Sequence, residues 1–297
     1  MIFDLHCHTY FSDGILSPEA VVARAKARGV AVLAITDHDT IAAVGIAQKA
    51  AGDAGISLIS GIEFSSQWGR GGVHIVGLGV DIHSPALLAA IEFQEQSRNA
   101  RALAIGDRLS KAGFPGALAG AQALAGSGTL GRPHFAQYLV AIGAVKNINA
   151  AFKKYLGAGK PADVKYQWPL MDQVIAWIHA AGGVAVLAHP AKYELTRTKM
   201  CALADSFVAA GGDAIEVISG LQPAAQTEDL LRIANERSLY ASCGSDFHIP
   251  DQPWQELGSF GRLPAHAKPV WELLGYNQQQ SLTLFSQTDA LVSVGVP

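Results

Sequence analysis

The sequence is poor in cysteine. Its 297 residues include three cysteines, Cys7, Cys201 and Cys243. Their odd number and the absence of a Cys-x-x-Cys spacing argue against a disulfide framework. We expect each thiol to behave as a small buried hydrophobe, and we expect the chain to work in a reducing cytoplasm.

Long apolar runs are also missing, although 49% of the residues are hydrophobic. No run approaches the ~18 residues that a membrane-spanning helix needs. The N-terminus has no basic segment ahead of an apolar one, so we expect neither a cleaved signal nor a membrane partner. A charged fraction of only 16% fits a large core, built either as one α/β domain or as a domain that carries an insertion.

The net charge is small, but it is unevenly distributed. The whole chain carries −3. Residues 98–168 contain ten basic and two acidic side chains, a balance of +8, whereas the rest contains 12 basic and 23 acidic ones, a balance of −11. Two interpretations stand on equal terms: a basic subdomain that faces an anion, or an ordinary solvated surface rich in lysine.

Segments of strand character alternate with segments of helical character along most of the chain. The predicted strands are 2–5, 30–35, 56–60, 72–78, 183–188, 214–218 and 240–243. The predicted helices are 17–28, 40–51, a long one from 84, 169–181, 199–210 and 223–236. This alternation predicts a parallel sheet with right-handed crossovers, and about seven units indicate a closed or distorted barrel.

The part of the chain between residues 98 and 168 interrupts this pattern. It has no strand-like run and is rich in alanine, glycine and lysine. We therefore divide the chain into a first barrel part at 1–97, a helical basic insertion at 98–168 that would cap the substrate, and a second barrel part with a C-terminal tail at 169–297.

Residues that commonly bind metal ions occur where the predicted strands end. His6 and His8 alternate at the end of the first strand, so both side chains point to one face and Cys7 points to the other. The ends of parallel strands share one face of a barrel. The full set has six histidines and three carboxylates: His6, His8, Asp13, His38, Glu63, His74, His189, Asp246 and His248.

Nine ligands are too many for one cation, so the set predicts two or three metal ions, with Glu63 or Asp246 bridging. Imidazoles with a few carboxylates suit Mn, Zn or Fe rather than Mg or Ca. Asp37 and Asp39 flank one of the histidines and are candidates for orienting ligands from behind. The alternative is a scatter of locally satisfied polar residues, in which His74 would be a hydrogen-bonded core histidine.

Together these motifs resemble those of the PHP (polymerase and histidinol phosphatase) family. The resemblance rests on His6-Cys7-His8-Thr9, Ser12-Asp13-Gly14, Thr36-Asp37-His38-Asp39, Gly61-Ile62-Glu63, Ala188-His189-Pro190 and Gly244-Ser245-Asp246-Phe247-His248. It implies a distorted (β/α)7 barrel and a phosphoesterase site with three divalent metal ions, Mn by preference and Zn or Fe as alternatives. The insertion motif Gly131-Arg132-Pro133-His134-Phe135-Ala136 resembles the subgroup of nucleoside 3′,5′-bisphosphate phosphatases and related 5′→3′ exoribonucleases that act on short RNA.

The resemblance implies removal of the 3′-phosphate from a nucleoside 3′,5′-bisphosphate, or action on short RNA ends. Arg132 and His134 are the candidates for holding a substrate phosphate, since both side chains offer N–H donors to phosphate oxygens. The alternative is a helix-starting proline with an incidental arginine.

No serine or cysteine has an obvious activating base. We therefore expect a metal-bridging hydroxide to attack phosphorus, with no protein nucleophile. Two other functions stay open, a histidinol-phosphate phosphatase and a non-catalytic, metal-stabilised PHP module. The sequence indicates no obligate protein partner.

Overall fold

The computed structural model describes residues 1–69, 71–126, 128–164 and 168–276. The tail after residue 276, for which the sequence suggested no role, lies outside the described residues. Within them, seven strands form one sheet in chain order. The strands are β1 (Ile2–Asp4), β2 (Val30–Ile35), β3 (Ser57–Trp68), β4 (Gly71–Leu78), β5 (Val184–Leu187), β6 (Ala214–Ser219) and β7 (Tyr240–Gly244).

The sheet closes on itself where the chain after β1 meets β7. Leu5 N donates a hydrogen bond to Cys243 O at 3.1 Å, and Asp246 N donates to the carbonyl oxygen of His6 at 2.8 Å. Gly244 lies at this seam, where an added Cβ would come within 2.5 Å of His6 Cβ. The molecule is therefore a distorted (β/α)7 barrel, which confirms the predicted fold class, and a candidate ligand lies at its closing seam.

Helices join most of the strands. They are α1 (Pro18–Ala27), α2 (Val44–Ala54), α3 (Pro85–Lys111), α4 (Ala117–Ala125), α5 (Arg132–Ala141), α6 (Ile148–Ala151), α7 (Met171–Ala180), α8 (Arg197–Ala209) and α9 (Ala224–Glu236). Ser17 caps α1, as its Oγ accepts a hydrogen bond from Ala20 N at 3.2 Å. α2 begins later than predicted, because Thr40 Oγ1 accepts from Ala42 N and the chain forms a turn there. No helix of the described residues is long and apolar enough to cross a membrane.

The direction of β4 differs from the sequence prediction. β4 pairs antiparallel with both β3 and β5, whereas the other neighbouring strands pair in parallel. A parallel pair needs a crossover of about a dozen residues, but β3 ends at Trp68 and β4 begins at Gly71. The expectation of an all-parallel sheet is therefore wrong at β4, and the short spacing between these two strands was the signal against it.

The helices from α3 to α6 enclose a hydrophobic cluster of their own. Its buried members include Ile105, Leu109, Phe135 and Leu139. α3 runs without a break from Pro85 to Lys111, so the predicted boundary at residue 98 lies inside this helix. A single rigid helix thus links the barrel to the helical segment.

Candidate metal centre

All nine residues of the predicted metal set lie in one polar centre at the mouth of the barrel. Seven of them follow the carboxyl ends of β1, β2, β5 and β7. Glu63 and His74 instead lie inside β3 and β4, where they occupy diagonal positions because Glu63 pairs with Val76 and Ser65 pairs with His74. The expectation that Glu63 lies at a strand end is corrected, since β3 continues beyond it to Trp68.

Glu63 is the centre of this arrangement, and its side chain is fully buried. Its two carboxylate oxygens contact ring nitrogens from five histidines at distances between 2.8 and 3.2 Å. Oε2 faces His6, His8 and His38, and Oε1 faces His74 and His189. A carboxylate with imidazoles on both oxygens has the geometry of a bridging ligand.

The remaining two carboxylates lie on either side of Glu63. Asp13 Oδ1 lies 3.2 Å from His248 Nε2, and Asp13 Oδ2 lies 3.7 Å from His38 Nε2. Asp246 Oδ1 lies 3.3 Å from His8 Nε2. His8, His38 and His248 therefore each lie beside one of these two carboxylates.

The backbone is strained at or beside several of these candidate ligands. Asp39, His189 and Asp246 adopt positive φ angles of 54°, 29° and 53°, a region that residues other than glycine seldom occupy. Such strain persists only where the surrounding structure enforces it, and it is typical of functional sites.

The donor atoms fit a cluster of cations. Asp13 Oδ1, His38 Nδ1 and Glu63 Oε2 are buried, and the close imidazole–carboxylate contacts described above do not have hydrogen-bond geometry at these atoms, so none of the three is hydrogen-bonded among the residues that the structure describes. A buried polar atom without a partner costs about 1–3 kcal/mol, so these atoms favour a bound ligand. Ligand atoms lie within 4.8 Å of one another in four overlapping groups: His8, Asp13, His38 and His248; His6, Glu63 and His189; His6, His8 and Asp246; His38, Glu63 and His74.

A cavity of about 220 Å³ extends from this centre to the helical segment. The metal-type residues that line one end are Asp13, His38 and His74. The other end is lined by three arginines, Arg98, Arg101 and Arg132, and by the aromatic rings of Phe152 and Trp168. The guanidinium carbons of Arg98 and Arg101 lie 5.2 and 5.3 Å from the centre of the Trp168 ring.

The positive charge of the three arginines is only partly compensated. Arg98 donates to Asp39 Oδ2 at 2.5 Å and to Ser65 Oγ at 3.0 Å. Burial, and after it the charges of Arg132 and Arg98, lower the pKa of Arg101 to about 9. The guanidinium is still charged at neutral pH, so an anion in this end of the cavity would relieve the repulsion.

Comparison with known proteins agrees with this geometry. Residues 4–108 match the family model described as the PHP domain. A 5′-3′ exoribonuclease of Haemophilus influenzae is 48% identical over 270 residues, which cover 91% of this chain and 98% of that protein. The chain belongs to the PHP family. The family assignment made from the motifs is thereby confirmed.

Chromobacterium violaceum supplies both a curated relative of this PHP protein and a solved structure similar to it. A 3′,5′-nucleoside bisphosphate phosphatase is 42% identical over 272 residues, which cover 91% of this chain and 95% of that protein. A solved structure of an amidohydrolase, with bound sulfate and no metal, has a TM-score of 0.86 at 42% identity and covers 93% of this chain and 96% of that one.

Buried charges of opposite sign compensate one another in the PHP site. Burial opposes ionisation of Asp13, Glu63 and Asp246, but neighbouring cationic groups hold the pKa of all three carboxyls well below the usual range. Burial also opposes protonation of His8, yet the adjacent carboxylates of Asp246 and Glu63 raise its pKa to about 10. The centre therefore needs positive counter-charge, which protons or metal ions supply.

Asp37 and Asp39, the residues predicted to orient ligands, accept hydrogen bonds from backbone N–H and hydroxyl groups of the PHP site rather than from the imidazole rings. Asp37 accepts hydrogen bonds from Thr9 N at 2.7 Å and from Ser12 Oγ at 2.6 Å. Asp39 Oδ1 accepts from Ser65 N at 2.7 Å. Asp37 thus holds the loop after β1 that carries Asp13, and Asp39 holds strand β3, which carries Glu63; neither is hydrogen-bonded to an imidazole in the described part of the chain.

Sequence reasoning missed Glu216, which does contact a ligand ring. Its Oε1 lies 2.6 Å from His6 Nδ1, and its Oε2 accepts from His189 N at 2.6 Å. The signal was a single carboxylate inside the apolar strand β6, where a buried charge needs a partner. Lys192 was missed as well; its ammonium group contacts the carboxylate of Asp246.

The two predicted phosphate-binding residues differ in position. Arg132 lines the cavity together with Pro133. His134 is buried at the start of α5, where its Nδ1 accepts a hydrogen bond from Gly131 N at 3.1 Å. His134 therefore stabilises the helix start that presents Arg132.

Proposed function

We propose that this chain is a metal-dependent phosphatase that removes the 3′-phosphate of nucleoside 3′,5′-bisphosphates and leaves the nucleoside 5′-monophosphate. The observation that carries the proposal is that one cavity has candidate metal ligands at one end and three arginines at the other. A substrate with two phosphates matches both ends, because metal ions at one end and guanidinium groups at the other would each bind an anion. A monophosphate would leave the arginines without a partner.

We further propose that the nine-residue set holds three divalent ions, with Mn as the preferred metal. Glu63 or Asp246 would be the carboxylate shared between ions, and Asp13, His38 and His248 would together be ligands of one ion. When bound, such ions act as Lewis acids toward phosphoryl oxygens and make water acidic enough to attack at neutral pH. The buried ligand atoms without hydrogen-bond partners support this assignment.

The side chains near the centre support attack by water rather than by a protein nucleophile. Cys7 Sγ faces away from the imidazoles and donates to Ala34 O at 3.1 Å, and burial holds the pKa of its thiol well above the usual value. Ser12 Oγ donates to Asp37 Oδ1 at 2.6 Å, and Ser245 Oγ donates to the carbonyl of His6 at 3.3 Å. Ser12 Oγ also lies 3.4 Å from Nδ1 of His8, but His8 is itself a candidate metal ligand and its other ring nitrogen faces Glu63 and Asp246.

The helical segment 98–168 would act as the substrate cap in this scheme. Its arginines would bind the 5′-phosphate, and α3 would fix their distance from the metal centre. The same arrangement suits the first nucleotide of a short RNA that carries a 5′-phosphate, with the bond to the second nucleotide at the metals. An exonuclease activity on short RNA is therefore part of the proposal, and the names of the relatives from Haemophilus influenzae and Chromobacterium violaceum agree with both activities.

The proposal is tested by phosphate release from adenosine 3′,5′-bisphosphate, adenosine 3′-monophosphate and histidinol phosphate, each with added Mn²⁺. We expect the bisphosphate to be hydrolysed with the highest kcat/KM. Preference for histidinol phosphate would assign the chain to that phosphatase group instead. No hydrolysis of any substrate by fully metal-loaded protein would favour a non-catalytic module.

A single turnover in heavy-oxygen water, with enzyme in excess, tests which bond breaks, because attack at phosphorus puts solvent oxygen into the released phosphate and leaves the 3′-hydroxyl unlabelled. A phospho-enzyme would give the same labels on its hydrolysis, so the configuration at an isotopically chiral phosphorus separates the two routes: one displacement by water inverts it, and two displacements retain it. Retention of configuration, a trapped phospho-enzyme, or label in the nucleotide would contradict direct attack.

A further inference from the structure

A second and larger cavity lies beside the one that joins the metal centre to the arginines. Its volume is about 460 Å³, within the range of pockets that bind small organic ligands. It opens between α3 and α4, and residues that line it include Asp39, Thr40, Glu95, Asn99, Gln122 and Ala125. Arg98 and Thr129 line both cavities and form the wall between them.

The second cavity runs alongside the path from the metal centre to the arginines. Asp39, which lines it, directly follows the candidate ligand His38. Thr129 and Leu130, which also line it, precede Arg132 by two or three residues. A nucleoside with its 3′-phosphate at the metals and its 5′-phosphate at the arginines has its ribose between them. Its base must then project to the side.

Arginine side chains already lie against the rings of Phe152 and Trp168, which line the first cavity. Guanidinium groups of Arg98 and Arg101 already lie over the Trp168 ring. The guanidinium carbon of Arg132 lies 5.8 Å from the centre of the Phe152 ring. This ring also packs against the buried cluster of the helical segment. A base that stacked where these guanidinium groups lie would compete with the arginines that the 5′-phosphate needs.

The second cavity has the chemistry that a nucleobase requires. Ile91 and Leu130 supply apolar surface for the faces of a ring. Asn99 and Gln122 have side-chain amides that both donate and accept hydrogen bonds, and Glu95 has a carboxylate that accepts them. A polar edge with both donors and acceptors matches the edge of a base, while neither phosphate would favour a site beside Glu95 and Asp39.

We infer that this cavity between α3 and α4 is the nucleobase subsite of the enzyme. The inference rests on the proposed function, since it takes the positions of the two phosphates from it. It assigns base contact to α3 and α4 and leaves phosphate binding to the three arginines.

The test uses Ala125→Trp, which places a bulky side chain in the second cavity, and compares adenosine 3′,5′-bisphosphate with the base-free ribose 3,5-bisphosphate. We expect the ratio of kcat/KM for the adenosine substrate to kcat/KM for the base-free one to fall by about tenfold or more, since each ~1.4 kcal/mol of lost binding is tenfold. The matched control is Ala123→Trp, because Ala123 is exposed on the same helix and does not line the cavity. We expect it to keep the wild-type ratio.

Activity on the base-free substrate also reports whether the variant is folded. An unchanged ratio in Ala125→Trp, with wild-type activity on both substrates, would overturn the base assignment and leave the proposed function intact. An equal fall of the ratio in Ala123→Trp would overturn it too. A wild-type enzyme that hydrolyses neither bisphosphate would instead refute the proposed function, and the subsite with it.

Discussion

Arg132 was a candidate from the sequence because of its motif, whereas Arg98 and Arg101 contributed only to a charge count. The structure places all three in one cavity with the metal-type residues. Arg98 and Arg101 lie three residues apart on α3, so a helical turn puts them on the same face. Three of the ten basic side chains of residues 98–168 therefore line this cavity.

Arg132→Ala should raise KM for adenosine 3′,5′-bisphosphate by about ten- to a hundredfold, because a charge-assisted contact contributes about 1.5–3 kcal/mol. KM for adenosine 3′-monophosphate should change far less, since this substrate has no 5′-phosphate. Steady-state kinetics with both substrates measure the difference. Arg232→Ala, on the exposed side of α9, is the control. Equal losses on the two substrates would mean that Arg132 does not bind the second phosphate.

Among the elements, α1 is held to the chain beyond β7 by one buried carboxylate. Arg24 Nε donates to Glu256 Oε1 at 2.9 Å, and Arg28 Nη2 donates to Glu256 Oε2 at 3.0 Å. The neighbouring Gln255 donates through Nε2 to the carbonyl oxygen of Asp246 at 2.7 Å. These contacts connect the helix on the outside of the barrel to the backbone of a candidate metal ligand.

Glu256→Gln should lower the free energy of unfolding at neutral pH by about 1.5–3 kcal/mol, the usual contribution of hydrogen bonds to a charged group. Hydrogen bonding to Arg24, with the charges of Arg24 and Arg28, lowers the pKa of Glu256 in the folded protein. A carboxyl with a lowered pKa stabilises the fold above its unfolded-state pKa, and this stabilisation is lost as the pH falls through the folded-state pKa.

The difference in free energy of unfolding between wild type and Glu256→Gln should therefore have its largest value at pH 7 and shrink below about pH 4.5. Urea unfolding at a series of pH values measures it. Glu228→Gln provides the control because Glu228 is about half exposed, and it should change stability little at any pH. A difference for Glu256→Gln that did not vary with pH would rule out the ion pair as its cause.

Across the whole molecule, the candidate ligands come from six separate segments that follow or lie within six of the seven strands. Ions bound to them would cross-link the barrel. A ligand that binds only the folded state stabilises it by about 2.7 kcal/mol when its concentration is a hundred times Kd. The stability of the fold should therefore depend on the metal.

Chelation should abolish activity and lower Tm, and added Mn²⁺ should restore both. Elemental analysis of the active protein should give about three ions per chain, the number that nine ligands in overlapping groups can share. The Glu63→Gln variant should bind fewer ions and show a smaller rise of Tm with Mn²⁺. One ion or none in a fully active sample would refute the trinuclear centre.

The sequence alone determined the family, the barrel class and the identities of the candidate ligands. These properties depend on local patterns, since residue type and strand period are readable along a few consecutive positions. His6 and His8 illustrate this, because their spacing on one strand already puts both rings on one face.

The tertiary structure decided what depends on distant parts of the chain meeting. Glu216 contacts His6 across 210 residues of sequence, and no local pattern contains that distance. The same holds for the antiparallel placement of β4, which turns Glu63 and His74 toward each other, and for the wall of Arg98 and Thr129 between the two cavities. Packing between elements sets these relations, and packing is a property of the folded molecule as a whole.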